Sequence, residues 1–199
     1  MRDNGIPEAR GQDGLAVVQQ NSGNNKIDAY QQREVVYDAT LDAATGALDA
    51  TVTITLHNNV PSTDLPPAVI SNTRNLPPGT NLSFVNVMTP HVATSATLDG
   101  QPLTLTPDRE SGLRTYETPV IPVPPGGAVT LVVHLRGAVN LRHGYRFTYL
   151  PQPVANPDRF KATITARNGV FVDDGADTHR ISEEAVATEP VVIRSQMAR

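Results

Sequence analysis

The groups in this sequence able to do chemistry are its carboxylates, its histidines and one basic, aromatic run. "VDDGAD", which carries Asp173, Asp174 and Asp177, could offer oxygen ligands to calcium. An EF-hand loop wants oxygen donors at alternating early positions and a bidentate Glu at the twelfth. Here Gly175 takes the third place counted from Asp173, and Glu184 reaches the twelfth only by coincidence of count. The cluster therefore reads as a solvated turn, and no structural metal is expected. Five histidines (His57, His91, His134, His143 and His179) include no H-x-x-x-H pair, whereas zinc needs convergent nitrogen or sulfur ligands. His134 alternates with Val133 and Leu135 and reads as facing solvent. Glycoside hydrolysis takes two facing carboxylates, and 20 acidic residues guarantee that some pair could be named. "LRHGYRF", with Arg142, His143, Tyr145 and Arg146, could contact an anionic polymer from a hairpin tip, where salt would screen it. No nucleophile elbow, phosphate-binding glycine loop or dinucleotide fingerprint occurs, so no cofactor is expected.

The elements that must position these groups are strands. In "TVTITLH" Val52, Ile54 and Leu56 share one face and Thr51, Thr53 and Thr55 the other, because successive strand side chains point to opposite sides. Val129, Leu131, Val133 and Leu135 alternate in the same way with polar neighbours, as do Phe160, Ala162 and Ile164. Turn residues separate the runs: "DAATG" at 42–46, "LDGQP" around Asp99-Gly100, "PPGG" at 124–127 and "RNG" at 167–169. Asp99-Gly100 fits a two-residue hairpin turn. The 17 prolines sit beside turns or at strand ends, where no ladder hydrogen bond is lost. The pattern predicts an all-β chain, an antiparallel β-sandwich of immunoglobulin-like architecture with room for extra C-terminal strands. Tyr37, Tyr145, Phe147, Tyr149 and Phe160 are expected in its core, since large rings dominate apolar burial.

With 199 residues the chain can bury a real core. A net charge of −4, with basic residues scattered, speaks against nucleic acid as a partner. The absence of cysteine leaves the redox compartment open. "VTLVVHL" is far short of the roughly 20 apolar residues of a membrane helix, and the N-terminus has no hydrophobic signal region. Residues 1–25 are polar apart from "LAVVQ" and read as the remnant of an upstream domain. Residues 26–199 then form the sandwich module, with a possible subdivision near 137–146 at "GAVNLRHGYR".

The stretch "NSGNNKIDAYQQREVVYDATLD" resembles a junction in the bacterial domain of unknown function 4012 family, where an N-x-G-N-K-I-D-Y-Y-L-x-R segment leads into a β-rich C-terminal region. "LPPGTN", "TSATLDGQPL", "VPPGGAVTLVVHL" and "LPQPVANPDRF" follow in order, so the resemblance runs from Asn21 to about Ala166. Ala29 and Gln32 depart from the family's aromatic and aliphatic residues. The resemblance implies an actinobacterial or related envelope protein with one N-terminal membrane span, a helical extracytoplasmic domain and this module at its end. Association with surface polysaccharide production is implied as well.

That order gives meaning to a polar break in the strand expected from Lys26. Ile27, Ala29, Val35, Tyr37, Ala39 and Leu41 form its core-facing set, while Gln31 and Arg33 interrupt it, as at a bulge or a change of packing partner. Lys26, Asp28 and Arg33 are therefore expected at an interdomain contact with the helical domain of the same parent. Arg142, His143 and Arg146 are the candidates for an anionic ligand. The reading is a non-catalytic, extracytoplasmic binding or spacer module in surface polysaccharide or cell-wall assembly, touching envelope polysaccharide or another envelope protein. It meets the membrane only through its parent's span; a chain complete as written would stay cytoplasmic. The alternatives are a glycan-active enzyme domain using a carboxylate pair and a purely structural module.

Overall fold

The computed structural model describes residues 12–173 and 175–198. Alternating apolar residues produce the strands β1 (Asp13–Asn21), β2 (Gln31–Asp42), β3 (Ala47–Asn58), β4 (Asn81–Thr89), β5 (Val92–Leu98), β6 (Gln101–Pro102), β7 (Thr106–Glu110) and β8 (Leu113–Glu117). They continue as β9 (Ile121–Val123), β10 (Ala128–Ala138), β11 (Tyr145–Leu150), β12 (Asp158–Arg167), β13 (Val170–Asp173), β14 (Ala176–Thr178), β15 (Arg180–Ala187) and β16 (Val191–Ala198). A 3-10 turn (Ile27–Tyr30) and the helical turn α1 (Pro67–Ile70) are the helical pieces among the described residues.

The strands form two sheets of a sandwich. One runs β14-β13-β16-β11-β1-β4-β8-β7, with β9 also on β4; the other runs β15-β12-β2-β3-β10-β5-β6. All-β architecture is as the alternation predicts. The strictly antiparallel pattern gives way at two places, where β1 lies parallel to β11 and β2 parallel to β12. Parallel neighbours need a long crossover, and the whole middle of the chain supplies it. Strands after residue 145 thus join the earlier ones along one parallel seam in each sheet, and a single core cluster takes residues from both sides of 137–146. β1 sits between β4 and β11, so the segment before Lys26 contributes a central strand and the module does not begin at residue 26.

The Asp99-Gly100 turn joins β5 to β6 with φ of 48° and 79°, the positive values a two-residue hairpin of this type requires. "RNG" instead carries the chain from β12 in one sheet to β13 in the other. The expected aromatics are all buried, with Tyr37 on Phe147 (4.5 Å between ring centroids), Phe147 on Phe160 (6.0 Å) and Tyr149 on Phe160 (4.1 Å). This stack fills the space between β1, β2, β11 and β12.

Candidate functional site

The stack ends in a buried polar cluster on either side. At one end Asp13, fully buried, accepts hydrogen bonds from the Tyr37 hydroxyl (2.9 Å) and the Tyr145 hydroxyl (2.5 Å), and its Oδ1 lies 2.8 Å from His91 Nε2. The His91 ring lies against the backbone of β10 at Gly137, where an added Cβ would fall 2.1 Å from Nδ1. Burial, then the nearby Asp13 carboxylate, holds both tyrosine hydroxyls protonated well above their ordinary range. At the other end Arg33 grips Asp158 with two bonds, Nε to Oδ1 at 2.7 Å and Nη2 to Oδ2 at 2.9 Å, and Tyr149 donates to the same carboxylate. Arg33 Nη1 donates to Gln152 Oε1 at 2.8 Å. Both carboxylates are committed to protein donors with none of their surface in solvent, so neither can serve as the acid or base of a glycan-cleaving pair.

Arg33 therefore does not face another domain; it is 3% exposed and paired within the chain. The strand expected from Lys26 begins at Gln31, after the 3-10 turn. Its inward positions run without a break or bulge through Gln31 and Arg33, in continuous register with β3 from Gln31↔Asn58 to Leu41↔Leu48. The polar interruption in the sequence is a buried polar end of the core. Lys26 and Asp28 are exposed beside the small cluster of Ile27, Val60 and Ile70 under the 59–80 connection.

Arg142, His143 and Arg146 are all exposed. His143 and Arg146 line one depression of about 540 Å³, and Arg142 lines a neighbouring one. Sequence reasoning missed Arg194, which β16 places directly opposite Arg146 of β11 in the same depression. Like charges opposed across a strand pair destabilise it. Neither arginine has an acidic partner among the described residues, and Asp173 is the acid on the lining. An anion bridging the two guanidiniums would relieve their repulsion by charge-assisted hydrogen bonds. Asp174 of the acidic turn lies outside the described residues.

A smaller cavity of about 250 Å³ opens at the Arg33 end, between the end of β1, the start of β2 and the β11–β12 loop. Gln31, 7% exposed, lines it, and its Nε2 has no acceptor. A buried donor left unpaired costs about 1–3 kcal/mol.

Neither a family model nor a curated protein matches the sequence. Among solved structures, one described as a "putative nutrient binding protein" from Legionella pneumophila superposes with a TM-score of 0.52 at 6% identity, over 94% of this chain and 71% of that one. An M1 zinc metallopeptidase from Deinococcus radiodurans superposes over 89% of this chain and 40% of its own (TM-score 0.39, 13% identity). Yeast LTA4 hydrolase does so over 83% and 29% (TM-score 0.38, 12% identity). The first likeness shows a shared fold and nothing finer.

Proposed function

We propose that this chain is a non-catalytic binding module of an envelope-associated protein, holding an anionic surface polysaccharide through the depression of His143, Arg146 and Arg194. The observation that carries the reading is the cross-strand opposition of Arg146 and Arg194, an arrangement that an anionic guest stabilises. A depression there favours binding over a purely structural spacer. Placement outside the cytoplasm, anchorage through the span of a parent protein and packing of Lys26 and Asp28 against an upstream helical domain rest on the sequence resemblance.

The test is retention of the purified chain on immobilised polygalacturonate and on neutral dextran. Retention on the anionic polymer alone, weakened by salt and lost in the Arg146→Gln/Arg194→Gln variant, is the expected result. Equal behaviour on both polymers, or an unaffected variant, would overturn it. Placement is checked by whether protease added to intact cells cleaves a tagged parent protein.

A further inference from the structure

The two sheets differ on the faces they turn away from the core. In the sheet that holds β2 the outward positions are mostly polar, among them Asp38, Thr40, Thr51, Thr53, Thr130 and His134. In the sheet that holds β1 the run Leu15–Val18 is apolar without alternation, as in a strand covered on both sides. Leu15 and Val17 enter the core, while Ala16 and Val18 face outward with Phe84 and Met88 of β4 and Leu150 of β11. The register sets Ala16 between Leu150 and Met88, so these side chains form one strip. Val18, Phe84, Met88 and Leu150 all remain partly exposed. A contiguous apolar strip left open on a sheet face marks a place where another surface docks.

The strip is bordered by opposite charges. On its β16 side stand Arg146 and Arg194. On its β7 side Asp108, Glu110 and Glu117 share a face with Val18 and Met88 around a second depression, of about 350 Å³. None of these three acids is in an ion pair among the described residues. The arginines of the same two strands, Arg109 and Arg114, alternate with them and point to the other side. A face with one positive and one negative flank is its own complement. A two-fold axis lying in that face, between the flanks, sets each flank of one copy against the opposite flank of the other and strip against strip. A different partner would need the same two charges in the same order. From β16 to β7 the face is about 24 Å wide and about 20 Å along the strands, by their spacing and rise. Roughly 500 Å² per copy is at the small end for a specific interface, so association depends on concentration.

We propose that the outer face of this sheet docks a second copy of the chain in a weak isologous dimer, with Arg146 and Arg194 of each copy entering the acidic depression of the other. The dimer draws on the same arginines as the anionic polymer, so the two exclude each other, and it stands whether or not the polymer binds.

The experiment is sedimentation equilibrium of the purified chain over a wide range of concentration, up to about 500 µM, where a small interface populates. The average mass is expected to rise from one chain toward two, and less so in high salt, which screens exposed charges. Arg146→Glu/Arg194→Glu reverses the basic flank and Asp108→Lys/Glu110→Lys reverses the acidic one; each variant alone should associate at least tenfold more weakly. An equal mixture of the two should recover a dimer containing one copy of each, a result that a damaged fold cannot produce. Arg159→Glu/Lys161→Glu makes the same change of charge on the outer face of the other sheet and should leave association unchanged. A chain that is monomeric throughout, reversals without effect, or a mixture that stays monomeric would overturn the dimer. A monomer still retained on polygalacturonate would leave the polysaccharide reading standing, whereas a charge-swapped dimer without retention by the polymer would leave only the dimer.

Discussion

Asp13 and Asp158 are both wholly buried carboxylates at opposite ends of one aromatic stack, and they are stabilised in different ways. Asp158 is met by a full opposite charge, held in a two-point grip by Arg33. Asp13 is met by the hydroxyls of Tyr37 and Tyr145 and by an imidazole nitrogen. A carboxylate can be kept in a core by one two-point ion pair or by several single hydrogen bonds, provided each lone pair is used. The consequences differ: the two-point ion pair concentrates its value in one partner, whereas the Asp13 cage spreads it over three.

The difference sets an order of effects. Arg33→Ala strands a buried carboxylate and is expected to cost about 3–5 kcal/mol by urea denaturation. The double replacement Arg33→Met/Asp158→Leu should cost clearly less, and equal losses would mean that packing rather than charge is at stake. At the other end Tyr37→Phe removes one donor of three and should cost about 1.5–3 kcal/mol, the range for hydrogen bonds to charged groups. Gly137→Ala pushes a methyl group into the His91 ring and should cost about 1–3 kcal/mol, as overpacking does; no loss would show that the ring can swing away. The cages also answer to pH. Tyr37, Tyr145 and Tyr149 are held protonated in the folded chain by burial first and then by the neighbouring carboxylates, while unfolded tyrosines ionise near pH 10. Above about pH 10 the unfolded state holds fewer protons, so stability should be intact below that value and fall as pH rises through it. Tyr37→Phe should flatten this alkaline limb, which a series of melting temperatures would read. Smallest of all, Arg146→Gln should leave the melting temperature unchanged or slightly raised, because it removes one of two opposed like charges.

What the sequence revealed and what it hid follow from range. The alternation of Val52, Ile54 and Leu56 is local, and so is the Asp99-Gly100 turn; both were legible because a strand's period and a turn's φ are decided by neighbouring residues. The burial of Gln31 and Arg33 was not, since a polar residue on an inward position reads as an interruption until its partner is known. That partner, Asp158, is 125 residues away. Asp13 hid in a segment resembling a polar tail, at the head of a strand whose pairing partners both lay far downstream. Arg194 was invisible for the same reason: nothing in either local sequence announces that β16 will set it opposite Arg146.

The parallel seams carry a consequence for how the chain reaches this state. Hairpins such as β2–β3 and β7–β8 close over short loops and can form early, whereas β1 with β11 and β2 with β12 must wait for segments more than a hundred residues apart to meet, with contacts such as that between Gln19 and Gln152 spanning 133 positions. Contacts of that separation are entropically late and slow. Until the last third of the chain arrives, β1 and β2 each present an unpaired edge of a half-built sheet, the kind of surface on which chains recruit one another. A chain cut near residue 140 would therefore keep most of its apolar strands and lose the two that seal them. It should accumulate as aggregate rather than as a smaller stable sandwich.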